Sequence, residues 1–349
     1  MIDLVQLAPG YAIPRLINGG WQLSVGHREG GFDRPRILED LQYLVDSGLT
    51  AFDCADIYTG VEELFGDLAS SQSNGSALQI HTKFVPDLSD LATITRQDVE
   101  KGIDRSLRRL NADRLDLVQF HWWDYGIQRY VEVATWLAEL QQAGKIRLLG
   151  TTNFDTARLS EILAAGVSIV SNQLQYSLLD RRPEEDMVVL CQEHGIKLLC
   201  YGSIAGGFLS ARWVGQPEPL TGLGNRSLVK YKLIIDEFGG WSLFQELLGA
   251  LSKIARRHKV SLTNVATRWV LDRPGVAAVL LGARSASHVN DNLRVFQFGL
   301  DSQDQEGLDE VLARATGPTG QPFELERVPD GPHARIMKTD LQKEGQAPT

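Results

Sequence analysis

The sequence predicts an α/β fold: a (β/α)8 TIM barrel in one domain, with a long loop after the seventh strand. Three observations point there. Eight short apolar or β-branched runs alternate with amphipathic stretches of three- and four-residue spacing. Several of those stretches stop at a glycine, as in "QQAGK", "LAAGV" and "CQEHGI". A doubly wound sheet would favour a GxGxxG turn after its first strand, and "INGGW" does not supply one.

In chain order, the first two strands are read at "RLINGGWQL" (15–23) and "TAFDCAD" (50–56). The third is "LQIHTKF" (78–84), and the helical pattern "ITRQDVEKGIDRSLRRL" follows it. The fourth, "LDLVQFHW" (115–122), precedes the helical "YVEVATWLAELQQAG". "IRLLGTTNF" (146–154), "SIVSNQLQYS" (168–177), "KLLCYGSIAGG" (197–207) and "VAAVLLGAR" (276–284) complete the set. Residues 208–241 separate the seventh strand from its helix, far beyond the roughly two to six residues of a normal βα loop, so this insertion is expected to lie over the active face. Residues 1–316 form the barrel unit. The Pro/Gly-rich polar tail, 317–349, is expected either to wrap the barrel or to stay partly disordered.

The 349 residues are 43% hydrophobic, enough for a sizeable core, and carry a net charge of −9. No basic surplus exists to neutralise phosphates, which argues against a nucleic-acid or anionic-membrane partner. Cys54, Cys191 and Cys200 show neither CxxC nor zinc spacing and read as reduced thiols, with no metal site. The first residues lack a basic-then-apolar signal pattern, and no apolar run approaches the ~18 residues of a membrane span. A cytoplasmic protein is expected; the oligomeric state is left open.

Chemistry on this fold sits at the C-terminal strand ends. Asp53 and Tyr58 lie there after the second strand, Lys83 after the third and His121 after the fourth. Thr152, Asn153, Asn172, Gln173 and Tyr201 follow at the fifth to seventh. A phenol of pKa ~10 donates its proton poorly near neutrality, and an ammonium alongside lowers that pKa. Lys83 is placed to do so, and a buried lysine needs a counter-charge, which Asp53 supplies. His121 is read as a hydrogen-bond donor to a substrate oxygen or as a second influence on the tyrosine. Such a site protonates an oxygen but has no nucleophile or metal cage, so the electrons must come from elsewhere, most simply as hydride from a nicotinamide.

At this point the sequence resembles the aldo-keto reductases across roughly residues 15 to 298. The resemblance rests on "DCADIY", "VEELFGDL", "HTKF", "LVQFHWW", "GTTNFD", "NQLQYSLLDR", "YGSIAGGFLS" and "LLGARSASHVNDNL". It implies Tyr58 as general acid, with Asp53, Lys83 and His121 completing a catalytic four. It implies Asn153 and Gln173 at the nicotinamide carboxamide and Tyr201 against the ring. Gly20, Trp21, Asp53, Thr152, Gly202, Ser203, Ile204 and Gly206 join them in the expected cofactor site.

Gly282, Ala283, Arg284, His288, Asp291 and Asn292 match the family's adenosine-end positions, and the Gly-Ala pair is similar to one branch of it. There Arg284 pairs with a 2′-phosphate, which implies NADP(H), with NAD(H) possible. Trp21, Tyr58, His121 and Trp122 are read as substrate contacts. Trp122 and Trp123 point to opposite faces, so one of the two meets the substrate. Three functions follow: reduction of an aldehyde, ketone or sugar carbonyl, the reverse oxidation of a sugar or polyol, or a cofactor-binding regulatory subunit.

Overall fold

The computed structural model describes residues 2–25, 33–72, 78–220, 222–283 and 285–344. An antiparallel hairpin of β1 (Leu4–Ala8) and β2 (Tyr11–Pro14) comes first. The eight barrel strands are β3 (Leu16–Gly19), β4 (Ala51–Asp53), β5 (Gln79–Phe84), β6 (Leu115–Phe120), β7 (Ile146–Thr152), β8 (Ser171–Gln175), β9 (Lys197–Tyr201) and β10 (Val276–Gly282). They pair in parallel in chain order, and β10 closes on β3. The TIM-barrel reading is therefore correct.

Helices α1 (Arg34–Asp46), α2 (Val61–Ser70), α3 (Arg96–Leu110), α4 (Tyr130–Gln142), α5 (Thr156–Ala164) and α6 (Asp186–His194) follow β3 to β8 in turn. Their ends are chemically specified. Thr95 and Asp98 cap α3 reciprocally, and Asn111 stops it in the left-handed region. One core fills the space between strands and helices. A second sits inside the barrel floor, where Leu7, Tyr11 and Ile13 of the hairpin meet Ile17, Ala51, Leu117 and Leu199. The hairpin thus plugs the end opposite the strand C-termini. Its "LVQLAPGYAIP" pattern is two alternating runs about a Pro-Gly turn.

The expected loop after β9 is partly helical. It contains α7 (Arg226–Phe238), capped by the Asn225 side chain, and then α8 (Gly240–His258) and α9 (Leu262–Leu271) precede β10. Tyr231, Ile234, Ile235 and Phe238 form its buried stripe. Beyond β10 come the short α10 (Val289–Asn292) and α11 (Ser302–Leu312). No helix among the described residues is long and apolar enough to cross a membrane.

The tail wraps the barrel mouth as far as α12 (Leu341–Glu344). Arg327 donates to the carbonyls of Trp122, Trp123 and Asn153 at the ends of β6 and β7. Further along, Leu88 N–H donates to Thr339 O, and the Gln342 side chain donates to Asp56 Oδ2 at 2.6 Å and to Val85 O. These bonds carry the chain from the β7 side across to β5 and β4.

Asp56 is therefore a tail anchor, and a buried one. Burial first and Glu62 second push its carboxyl up to about 7, against Arg105, Gln342 and the Val85 N–H. An acid whose folded pKa exceeds its unfolded value stabilises the fold below the unfolded value, and that contribution is lost as pH rises through the folded one. The difference in Tm between Asp56→Asn and the parent should accordingly grow in the variant's favour from pH 5 to pH 8. Thermal denaturation across that range checks it, and a pH-independent difference would contradict it.

Candidate active site

The inward faces of β4, β5, β6 and β8 converge on one carboxylate. Lys83 Nζ lies 2.5 Å from Asp53 Oδ2 and donates also to Cys54 O at 2.8 Å. Both side chains are buried, Lys83 at 6% and Asp53 at 3% exposure, where an isolated charge would be untenable. Burial pulls the ammonium down, but Asp53, with Tyr58 and Cys54 adding to it, holds Lys83 above the ordinary lysine value. The other carboxylate oxygen, Oδ1, accepts from Gln119 Nε2 at 2.9 Å and Gln173 Nε2 at 2.7 Å. Gln173 Nε2 also donates to Gln119 Oε1 at 2.8 Å.

Tyr58 follows on a loop that leaves β4 and enters α2 through Gly60 at φ 83°. Its backbone N–H donates to Ala55 O, and its carbonyl accepts from Val61 N–H. Lys83 Nζ stands 5.2 Å from the ring centroid. Burial raises the phenol pKa above its ordinary value, and the Lys83 charge pulls it back without cancelling the rise. The lowering expected from the sequence is thus present as a contribution rather than as the net result.

His121 lies edge-on to Trp123, ring centroids 4.3 Å apart, and to Phe323. Burial, with the Arg327 charge second, pushes it down to about 3, so the imidazole is neutral at working pH. Its Nδ1 lies 3.2 Å from Thr152 O, and a carbonyl only accepts, so the proton sits on Nδ1. Nε2 then offers a lone pair and has no partner among the described residues. That tautomer suits an alcohol O–H. Donation to a carbonyl, as the sequence suggested, needs the proton moved to Nε2.

One cavity brings together Trp21, Asp53, Tyr58, Lys83, His121, Thr152, Asn153, Gln173, Tyr201, Gly202 and Gly282. Asn153 takes up a left-handed φ of 61° and accepts from the Tyr201 hydroxyl at 2.8 Å. Ser203, beside Gly202, is buried with an unpartnered Oγ among the described residues. Ile204 and Gly206 continue that turn outside the cavity lining, while Ala283 is buried just after β10. His288 is exposed and Asp291 and Asn292 half-buried on the following segment, away from the cavity wall. Arg284 lies outside the described residues.

Two expectations are corrected. Gly20 does not face the cavity; it packs on α2, where a Cβ would come within 2.7 Å of Val61 and 2.9 Å of Phe65, and Gly19 lines the wall instead. Trp122 is fully buried behind the strand, its indole N–H shared between the carbonyls of Asp124 and Ile127. Trp123 is the one that reaches the cavity.

Several lining groups had no place in the sequence reading. Arg226, Ser227, Lys230 and Tyr231 come from the first turns of α7, and Phe323, Ile336, Met337, Lys338 and Leu341 from the tail. Lys230 bridges the two covers, pairing with Glu326 at 3.0 Å and standing 5.2 Å from the Tyr201 ring centroid. Period-two alternation from His121 would have found Gln119 and Trp123, since 119, 121 and 123 share a face.

Residues 15–313 match the model of the aldo/keto reductase family. The chain is similar to the aldo-keto reductase YhdN of Bacillus subtilis (strain 168), 28% identical over 324 residues, 90% of this chain and 95% of that one. It is similar also to the NADH-specific methylglyoxal reductase of Escherichia coli (strain K12), at 22% identity, covering 86% and 94% of the two chains. Among solved structures it resembles the glycerol dehydrogenase AKR11B4 from Gluconobacter oxydans, with a TM-score of 0.75 and 26% identity over 90% of this chain and 97% of that one.

Proposed function

The chain belongs to the aldo/keto reductase family, and from that premise we propose an NADPH-dependent reductase of aldehydes and ketones with apolar bodies, Tyr58 giving the proton. The observation that carries this reading is the Lys83 ammonium, locked to Asp53 on one side and facing the Tyr58 ring on the other. Lys83 favours the phenolate left behind when the proton departs, and Asp53 keeps Lys83 charged.

The residues present fit a nicotinamide cofactor. Gln173 and Asn153 would hold the carboxamide, Tyr201 the ring face, and the unpartnered Ser203 Oγ with Arg226 and Ser227 the phosphates. Arg284, with Gly282, Ala283, His288, Asp291 and Asn292, would serve the adenosine end, Arg284 taking the 2′-phosphate. A bound nicotinamide supplies the hydride for reduction and accepts it for oxidation.

Substrate class follows from the remaining wall. Trp21, Ile57, Val85, Trp123, Ile336 and Met337 make it mainly apolar, with Gln22, Lys230 and Lys338 among its polar members, and Tyr58 and His121 would meet the substrate oxygen. A sugar hydroxyl stranded against such a wall costs about 1–3 kcal/mol. A second reading, oxidation of the corresponding alcohol, is favoured by the acceptor tautomer of His121.

With NADPH, the parent should turn over benzaldehyde at a higher kcat/KM than glyceraldehyde. Tyr58→Phe keeps the ring and deletes the donor, so kcat should drop by about 10²–10⁴-fold while NADPH affinity holds. Steady-state kinetics and fluorescence titration check both; a folded, cofactor-binding Tyr58→Phe with parental turnover would refute the proton role. Arg284→Ala should weaken NADPH by about 1.5–3 kcal/mol and leave NADH in place. Equal losses for the two cofactors, by the same titration, would remove the 2′-phosphate assignment.

A further inference from the structure

We propose that Gln119 is a positioning residue that ties the seat of the nicotinamide carboxamide to the Asp53–Lys83 pair through Gln173. The inference rests on the hydride-transfer reading above. Gln119 is completely buried on β6, two residues before His121 and on the same face. It touches neither the expected substrate nor the cofactor, and it does not line the cavity.

Its geometry leaves little freedom. Asp53 Oδ1 can only accept, so the groups 2.9 and 2.7 Å from it must be the amide nitrogens of Gln119 and Gln173. Gln119 Nε2 faces Asp53, so its Oε1 is the atom that takes the second hydrogen of Gln173 Nε2, at 2.8 Å. Both hydrogens of the Gln173 amide are thereby committed inward. Its Oε1 is what remains for a ligand, and it is an acceptor, matched to the N–H of a carboxamide. Gln119 thus fixes which way Gln173 points.

The same bridge bears on the acid. Two N–H groups on Oδ1 spread the Asp53 charge that would otherwise act on Tyr58, where Asp53 raises the phenol pKa and Lys83 lowers it. The titratable groups acting on Tyr58 are Asp53 and Cys54 at the end of β4, Lys83 on β5 and Tyr201 on β9; His81 on β5 feels Asp53, and His121 after β6 lines the same cavity. Burial holds His81 and His121 neutral, at about 4 and about 3, so neither titrates above neutral pH. The groups left to titrate on the alkaline side are Tyr58 and Lys83, which act on each other, with Cys54 pushed well up by burial, so a displaced alkaline limb reports on that coupled set.

The test uses Gln119→Met, which keeps the volume and deletes the donor, and Gln119→Glu, which keeps the shape and sets a carboxyl beside Asp53 that must hold a proton to share the site. Two readouts are taken: equilibrium binding of NADPH and of its 3-acetylpyridine analogue, which lacks the carboxamide N–H, and the pH profile of kcat. Gln119→Met should weaken NADPH about tenfold and the analogue much less, as loss of one aligned hydrogen bond implies. The alkaline limb should move to higher pH in Gln119→Met and less in Gln119→Glu, whose protonated carboxyl still donates to Asp53. Equal weakening of NADPH and the analogue, or a limb that stays in place while kcat falls, would overturn the inference and leave the hydride-transfer reading standing. Failure of the parent to bind either nucleotide would overturn that reading and this one together.

Discussion

Everything at the barrel mouth is arranged around a lysine and an aspartate that cannot be separated. Removing one partner of a buried ion pair typically costs about 3–5 kcal/mol, because the other charge is left without water or a counter-ion. Here the pair is made by adjacency alone. Parallel pairing of β4 with β5 sets Asp53 directly opposite His81, and Lys83, two residues on, reaches back over it. Gln119 and Gln173 then complete the carboxylate from β6 and β8. A shifted register would strand one of the charges, so the contact that sets Lys83 over the Tyr58 ring also reports whether the barrel has closed correctly.

Two covers complete the site, and a second buried ionic group fastens them. Asp180 and Arg182, both buried, pair at 2.7 Å beyond β8. Arg182 also reaches Glu326 of the tail at 4.0 Å, and Glu326 pairs with Lys230 of α7. The hydrogen bonds of Arg327 to three carbonyls at the ends of β6 and β7 hold the rest of the tail down. Apolar tail residues can therefore form a cavity wall although the segment has little regular structure of its own. The covers narrow the approach to Tyr58, which stays half-buried on the cavity wall.

The barrel was legible because its signal is repeated: eight apolar runs, each with its helix, constrain one another. The four polar residues Asp53, Tyr58, Lys83 and His121 were legible for a different reason, since complementary charges on three consecutive strands explain each other. What escaped had weaker or misread local signals. Trp122 and Trp123 are adjacent, and alternation from His121 favours Trp123; the same count reaches Gln119. Tyr231, Ile234, Ile235 and Phe238 carry helical spacing, but the Pro/Gly-rich residues before them made the segment look like a loop. For the tail the sequence leaves wrapping and disorder both open, because Arg327, Thr339 and Gln342 are held by partners more than 170 residues away.

The central claim is that the Lys83–Asp53 pair serves a proton delivered to a carbonyl as hydride arrives from a nicotinamide. Reduced cofactor labelled with deuterium at C4 tests it most directly, read by mass spectrometry and NMR of the alcohol product. The account predicts one deuterium on the carbinol carbon with the parent protein, and loss of that transfer in Lys83→Met that still binds cofactor. Cofactor bound by the parent with no label moved, or label moved at the parental rate by Lys83→Met, would contradict it.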